Sequence, residues 1–256
     1  MIMKEITSVS NQQVKDWKKL ATKKARQKEN RYLLDGWHLV KEALKAKQPI
    51  TKILVTPTFK HIDELELPTE TELISISEQV AKQLSETKTP QGIFAEVKIT
   101  QTNIDPTKVS GAWLFLDGVQ DPGNIGTMVR TSDAAGFKGV VFGKNTADMY
   151  QPKVVRSMQG SQFHIDLVSA DLLTWVDAFK AQAKPVFGSE LNEAARSYDQ
   201  VGRHQDFALI MGNEGNGMDP ELLNKTSLNL YIPIKGHAES LNVAVAAGIL
   251  MFQLID

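Results

Sequence analysis

Three runs in the second half of the chain, Trp113 to Val119 (WLFLDGV), Gly139 to Gly143 (GVVFG) and Phe207 to Gly212 (FALIMG), are apolar almost throughout. A strand with one wet face alternates apolar and polar residues, so unbroken runs of this length predict parallel strands covered on both faces. Segments of helical character lie between them. The predicted order is strand 113–119, helix 124–135, strand 139–143, a helix near Val154, strand 164–169, helix 171–183, then strands 185–188, 207–212 and 228–233. A closing helix follows over 240–255. The fold class is therefore α/β, with helices packed on a parallel sheet, and by topological rules alone an unknotted doubly wound sheet is the expectation.

The first half reads differently. Short strands are predicted at 52–56, 73–77 and 92–97, with a helix over 78–86, which suggests a small α/β unit of its own. Residues 100–111 (TQTNIDPTKVSG) are polar and aperiodic, with Pro106 and Gly111, and mark the boundary between domains 1–100 and 111–256. No helical run is long enough to span a bilayer: the longest apolar stretch, Val243 to Met251, falls well short of the roughly 20 residues required. No apolar leader opens the sequence, so a cytoplasmic protein with no membrane partner is expected. The absence of cysteine removes disulfides, thiolate metal sites and a cysteine nucleophile from consideration.

Charge is unevenly spread. Residues 1–52 hold thirteen Lys/Arg against five acids, a net +8, and the remaining 204 residues must carry −9 to reach the overall −1. Over Asn11 to Arg26 the apolar residues Val14, Trp17, Leu20 and Ala21 recur at helical spacing after Ser10, a candidate N-cap. This predicts one basic amphipathic helix. Lys18, Lys19, Lys23, Lys24 and Arg26, followed by a second basic stretch beginning at Arg31, form a candidate phosphate-binding surface; a simply solvated face has the same pattern.

Three polar loops follow apolar strands, where a parallel sheet places its ligands. The first, Asp117 to Gly126 (DGVQDPGNIG), has a Pro-Gly turn, Asn124 at the start of a helix, and Arg130 about 1.7 turns further on. The second, Gly212 to Gly217 (GNEGNG), holds Glu214 among three glycines. Its spacing matches neither the dinucleotide fingerprint nor the Walker pattern, which disfavours NAD and ATP. The third, Ile232 to Asn242 (IPIKGHAESLN), offers Ser240 as an N-cap and places Asn242 in the first turn of the closing helix. That helix is apolar on nearly every side and must be buried in a core or against a second chain. The five histidines show no metal-binding pair, and no G-x-S-x-G elbow is present. What remains is chemistry by placement and hydrogen bonding.

At these loops the sequence closely resembles the SpoU-type (TrmH-like) RNA ribose methyltransferases of the SPOUT superfamily. The resemblance is carried by DPGNIGTMVRTSDAAGF (Asp121 to Phe137), LIMGNEGNGM (Leu209 to Met218) and IPIKGHAESLNVAVAAGI (Ile232 to Ile249), in the family's order. Met218 and Ala238 are mild departures from the pattern. The resemblance implies a SPOUT domain with a deep trefoil knot that works as a homodimer through the C-terminal domain, preceded by a small, ribosomal-protein-like RNA-binding domain. It implies 2′-O-methylation of RNA, ribosomal RNA ahead of tRNA, with S-adenosylmethionine as methyl donor and no metal. The implied catalytic group is Asn124, Arg130, Glu214, Ser240 and Asn242; the donor would be held at Gly212, Ile232, Leu241 and Asn242. Arg130 is the family's candidate for activating the hydroxyl. Because a guanidinium stays protonated, a grip on the neighbouring phosphate is the role its chemistry favours.

Overall fold

A computed structural model describes residues 4–100 and 103–256. The chain divides into two compact units, one formed by Met1–Gln101 with Tyr150–Phe163 and the other by Thr102–Met149 with His164–Asp256.

The first unit contains β1 (Lys4–Ile6), α1 (Gln12–Lys19), α2 (Lys23–Glu29), β2 (Arg31–Asp35), α3 (Trp37–Lys45), β3 (Ile50–Val55), β4 (Glu72–Ile76), α4 (Glu78–Leu84) and β5 (Ile93–Lys98). Its sheet runs β1-β4-β3-β5-β2, with β5 antiparallel to both its neighbours. Val14 and Trp17 of α1 pack with Ile6, Leu54, Ile74, Val80 and Phe94 in one core.

The single basic helix expected over 11–26 is two helices. Thr22 interrupts it: its backbone is extended and its hydroxyl accepts from the Ala25 N–H, so it caps α2. Asn11, not Ser10, caps α1 by accepting from the Gln13 N–H. The basic stretch after Arg31 conceals β2, whose alternate residues Tyr32 and Leu34 are buried, and helix α3.

The second unit begins with β6 (Ala112–Leu116), α5 (Pro122–Ala134) and β7 (Gly139–Phe142). The helix expected near Val154 is α6 (Pro152–Ser157), which belongs to the first unit, where it lies against β2. The second unit resumes with β8 (Asp166–Ser169), α7 (Leu172–Ala181), β9 (Val186–Ser189), β10 (Arg196–Ser197), β11 (Phe207–Met211), α8 (Pro220–Lys225), β12 (Leu228–Tyr231) and α9 (Val243–Leu254).

Its strands form one sheet in the order β10-β12-β9-β11-β6-β7-β8, each neighbouring pair parallel. All five residues of β6 and all five of β11 are buried, as their unbroken apolar character predicts. Trp113, Phe115, Trp175 and Phe179 fill one face as a chain of edge and tilted ring contacts. On the other side α9 packs on α5, and its C-terminal end pairs Ile255 with His204. This architecture places the carboxyl ends of β6, β11, β9 and β12 side by side.

Candidate active site

The loop after β6 is shaped by its acids. The Asp121 carboxylate accepts from the Asn124 N–H at 2.8 Å and caps α5, with Pro122 in the first turn. Capping by Asp121 frees the Asn124 side chain to reach out of the helix. The loop after β11 is closed by Asn213, whose N–H and C=O exchange hydrogen bonds with Gly217. The Asn213 side chain accepts from the Gly215 and Asn216 N–H groups and donates to the Gly118 carbonyl at 2.8 Å, tying the second loop to the first. Gly212 is required here: a Cβ would come within 2.4 Å of the Gly217 carbonyl carbon.

At the third loop the expected cap is displaced by two residues. Asn242, not Ser240, is the N-cap of α9; its Oδ1 accepts from the N–H groups of Ala244 at 2.9 Å and Val245 at 3.3 Å. Asparagine caps as well as serine, and its amide has a second end. With Oδ1 occupied by the helix, Nδ2 donates to Asn124 Oδ1 at 2.9 Å. Asn124 Nδ2 in turn donates to Glu214 Oε1 at 3.1 Å. The relay Asn242 to Asn124 to Glu214 thus runs in one direction through all three loops.

Glu214 ends the relay as an acceptor for the backbone as well. The Asp121 and Gln120 N–H groups donate to its two carboxylate oxygens at 3.2 and 3.4 Å. Partial burial pushes this carboxyl up. Its own backbone N–H, the Asn124 amide and the Asp121 and Gln120 N–H groups outweigh that and hold it below the usual glutamate range. Asp117, whose carboxylate accepts from the Asp219 N–H at 2.6 Å, is displaced the other way: burial raises it by more than that hydrogen bond lowers it, and the Asp219 charge adds to the rise.

Of the sequence-predicted site residues, Asn124, Glu214 and Asn242 are therefore joined directly. Arg130 is exposed on α5, two turns from the relay, with no hydrogen bond or ion pair among the described residues. Its guanidinium keeps all its donors for a ligand. Ser240 is exposed and Leu241 is 37% exposed in a loop where every residue from Pro233 to Asn242 is exposed. The backbone groups of Gly212, Ile232 and Leu241 take no hydrogen-bond partner among the described residues. Free backbone groups beside a glycine corner suit a polar nucleoside ligand.

The predicted basic surface is sorted by the structure. Lys18, Lys23 and Lys24 are exposed, and Lys19 is exposed but pairs with Asp16 at 2.9 Å. Arg26 is not a surface cation: it is 3% exposed, and its Nη1 donates to the Leu20 and Ala21 carbonyls at 2.8 Å, closing the end of α1. The amphipathic pattern sets Arg26 among the lysines, but the chain breaks at Thr22 and the Arg26 side chain turns onto the end of α1. Arg31 is committed to the buried carboxylate of Glu96 at 2.8 Å, which also accepts from Lys52, Thr51 and the Trp17 indole N–H.

Known proteins match the chain over most of its length. Residues 111–252 match the SpoU rRNA Methylase family, and residues 11–95 match the MRM3-like substrate binding domain. The chain is 47% identical to the 23S rRNA (guanosine(2553)-2′-O)-methyltransferase RlmP of Bacillus subtilis over 98% of this chain and 99% of that protein. It is similar in structure to an AdoMet-bound rRNA methyltransferase from Sinorhizobium meliloti, with a TM-score of 0.88 and 28% identity over 98% of this chain and 97% of that one. A TrmH-family structure from Porphyromonas gingivalis aligns with a TM-score of 0.87 and 29% identity over 97% and 98% of the two chains.

Proposed function

This chain belongs to the SpoU rRNA Methylase family, and from that premise we propose that it transfers the methyl group of S-adenosylmethionine to a ribose 2′-hydroxyl of ribosomal RNA. The observation that carries the reading is the relay from Asn242 through Asn124 to Glu214, which ties three sequence-distant loops into one site.

Bound in that site, the donor supplies a methyl group already activated on a positively charged sulfur. The protein's task is to hold the attacking oxygen in line with the breaking carbon–sulfur bond while the hydroxyl proton leaves to solvent and neutral S-adenosylhomocysteine departs, and positioning of this kind contributes about 7–11 kcal/mol. Free backbone groups at Gly212, Ile232 and Leu241 hold the donor, with Asn242 fixing the loop they lie on. Arg130 grips the phosphate beside the target ribose through two parallel N–H bonds and stabilises the developing oxyanion. Asn124, locked in one amide orientation by its two partners, aligns the ribose; Glu214 holds Asn124 and the backbone of residues 120–121 in place. Ser240, free of any capping duty, faces the target nucleotide.

The rest of the assembly follows from surfaces left over. Val245 and Phe252 stand one face apart from the buried residues of α9 and are 52% and 54% exposed. We assign this stripe, with the open 233–242 loop, to a homodimer interface that closes the site. The family's trefoil knot is part of this reading. The first unit binds the RNA substrate through Lys18, Lys19, Lys23 and Lys24, and action on ribosomal RNA places the protein in the cytoplasm.

The test is transfer of labelled methyl from S-adenosylmethionine to RNA from cells lacking the gene, followed by nuclease digestion. The label should appear as a 2′-O-methylnucleoside in ribosomal RNA. Label on a base, or on no RNA at all, would remove this reading. A dinucleotide- or ATP-dependent enzyme would instead bind those nucleotides in a parallel titration.

A further inference from the structure

The loop after β9 carries no family motif. Because β9 lies between β11 and β12, its loop rises between the two loops that hold Gly212 and Ile232. Its first residue, Glu190, is fixed in the sheet edge by its N–H, which donates to the Leu230 carbonyl at 3.2 Å. The Glu190 side chain is half-buried and lies against Gly217: a Cβ on that glycine would meet Glu190 Oε2 at 2.9 Å. Gly217 is also the residue whose carbonyl crosses Gly212. No hydrogen bond or ion pair to the Glu190 carboxylate is made among the described residues.

The two glutamates Glu214 and Glu190 are therefore in contrasting states. Glu214 is held by amides, whereas Glu190 presents a bare negative charge to the glycine corner. A half-buried carboxylate without a partner is costly unless a ligand supplies the cation. Next to it, Leu191 is 73% exposed, and Ile234 and Leu241 on the facing loop are 41% and 37% exposed. The edge thus combines apolar side chains with the half-buried, unpaired Glu190 carboxylate and free backbone groups.

That combination matches a purine nucleoside with a cationic tail. Resting on the methyltransferase reading above, we propose that Glu190 takes the α-ammonium of the donor's amino-acid end and that Leu191 covers its purine. Glu190 then sets specificity for the whole donor over truncated adenosines, and its charge favours the cationic donor over neutral nucleosides. Neither residue belongs to a recognisable motif.

The test is calorimetric titration of the full chain with S-adenosylhomocysteine and with 5′-methylthioadenosine, which has the same purine and sugar but no amino acid. Glu190→Gln should weaken S-adenosylhomocysteine about tenfold or more, the worth of one charge-assisted hydrogen bond, and leave methylthioadenosine unchanged. Leu191→Ala should weaken both ligands alike. Equal loss of both ligands in Glu190→Gln, or no loss of either, would overturn the proposal while leaving the methyltransferase reading intact. Failure of the unaltered protein to bind either ligand would remove that reading and the proposal with it.

Discussion

Glu96 in the first unit and Glu214 in the second are both held below the ordinary glutamate range, by opposite means. Glu96 is 4% exposed; burial pushes it up, but hydrogen bonds from Thr51 and Lys52 and the charges of Lys52 and Arg31 pull it below the starting point. Glu214 is exposed and is held by neutral amides alone. A carboxylate surrounded by cations is structural: its charge is spent inside the unit and orders α1, β2, β3 and β5 around it. One surrounded by amides keeps its charge while orienting the groups that point at it, which suits a site that must meet an incoming substrate. Identical side chains thus gather cations in one unit and neutral amides in the other.

The comparison breaks first if Glu96 is removed. Glu96→Ala leaves Arg31 and Lys52 beside each other without their carboxylate, and loss of one partner of a buried ionic cluster costs roughly 3–5 kcal/mol. Chemical denaturation should show that loss, and a change below about 1 kcal/mol would make the cluster ornamental.

On the catalytic side, Arg130→Ala should lower kcat about 100- to 1,000-fold, as for loss of one transition-state donor, with the melting temperature and donor affinity unchanged. Unimpaired turnover would take Arg130 out of the chemistry. Asn124→Ala cuts the relay but leaves Glu214 its backbone donors, so a smaller effect is expected: stability falls by about 1 kcal/mol, one hydrogen bond's worth, while kcat/KM falls about tenfold.

The same contrast has a pH signature. A carboxyl whose folded pKa is depressed contributes stability that is fully present above its unfolded pKa, about 4.3 for glutamate, and is lost as pH falls through the folded pKa. The stability gap between the unaltered protein and Glu96→Gln should therefore be full at neutral pH and close on acidification below that range. A gap that widened with acid would reverse the sign assigned to Glu96.

The smallest effect belongs to the exposed lysines. Replacing Lys18, Lys23 and Lys24 with glutamine should flatten the slope of log RNA affinity against log salt by about 0.7 per lysine engaged. Arg26→Gln should instead destabilise the first unit, because that guanidinium holds carbonyls and not phosphate.

Legibility in the sequence followed the range of the forces involved. Buried parallel strands were readable because covering both faces leaves an unbroken apolar run, as in β6 and β11. The Asp-Pro-Gly-Asn turn announced α5, since capping is local. Asn242 was assigned to the site, but Ser240 and Asn242 are both good caps, and only the position of Asn124 across the sheet decides between them. Thr22 breaks a pattern that remains amphipathic across the break, so the two helices read as one. The attachment of residues 150–163 to the first unit rests on contacts more than a hundred residues away, such as Tyr32 with Tyr150 and His38 with the Gln159 carbonyl. Glu190 went unread for a similar reason: its place between two motif loops is set by strand order, which no local pattern encodes.

Three loops on one sheet edge are proposed to make a ribose methylation site. Mapping 2′-O-methyl groups across ribosomal RNA from cells with the gene, without it, and with only the Arg130→Ala form tests it most directly. A 2′-O-methyl group should be lost on deletion and not restored by Arg130→Ala. An unchanged methylation map on deletion would contradict it.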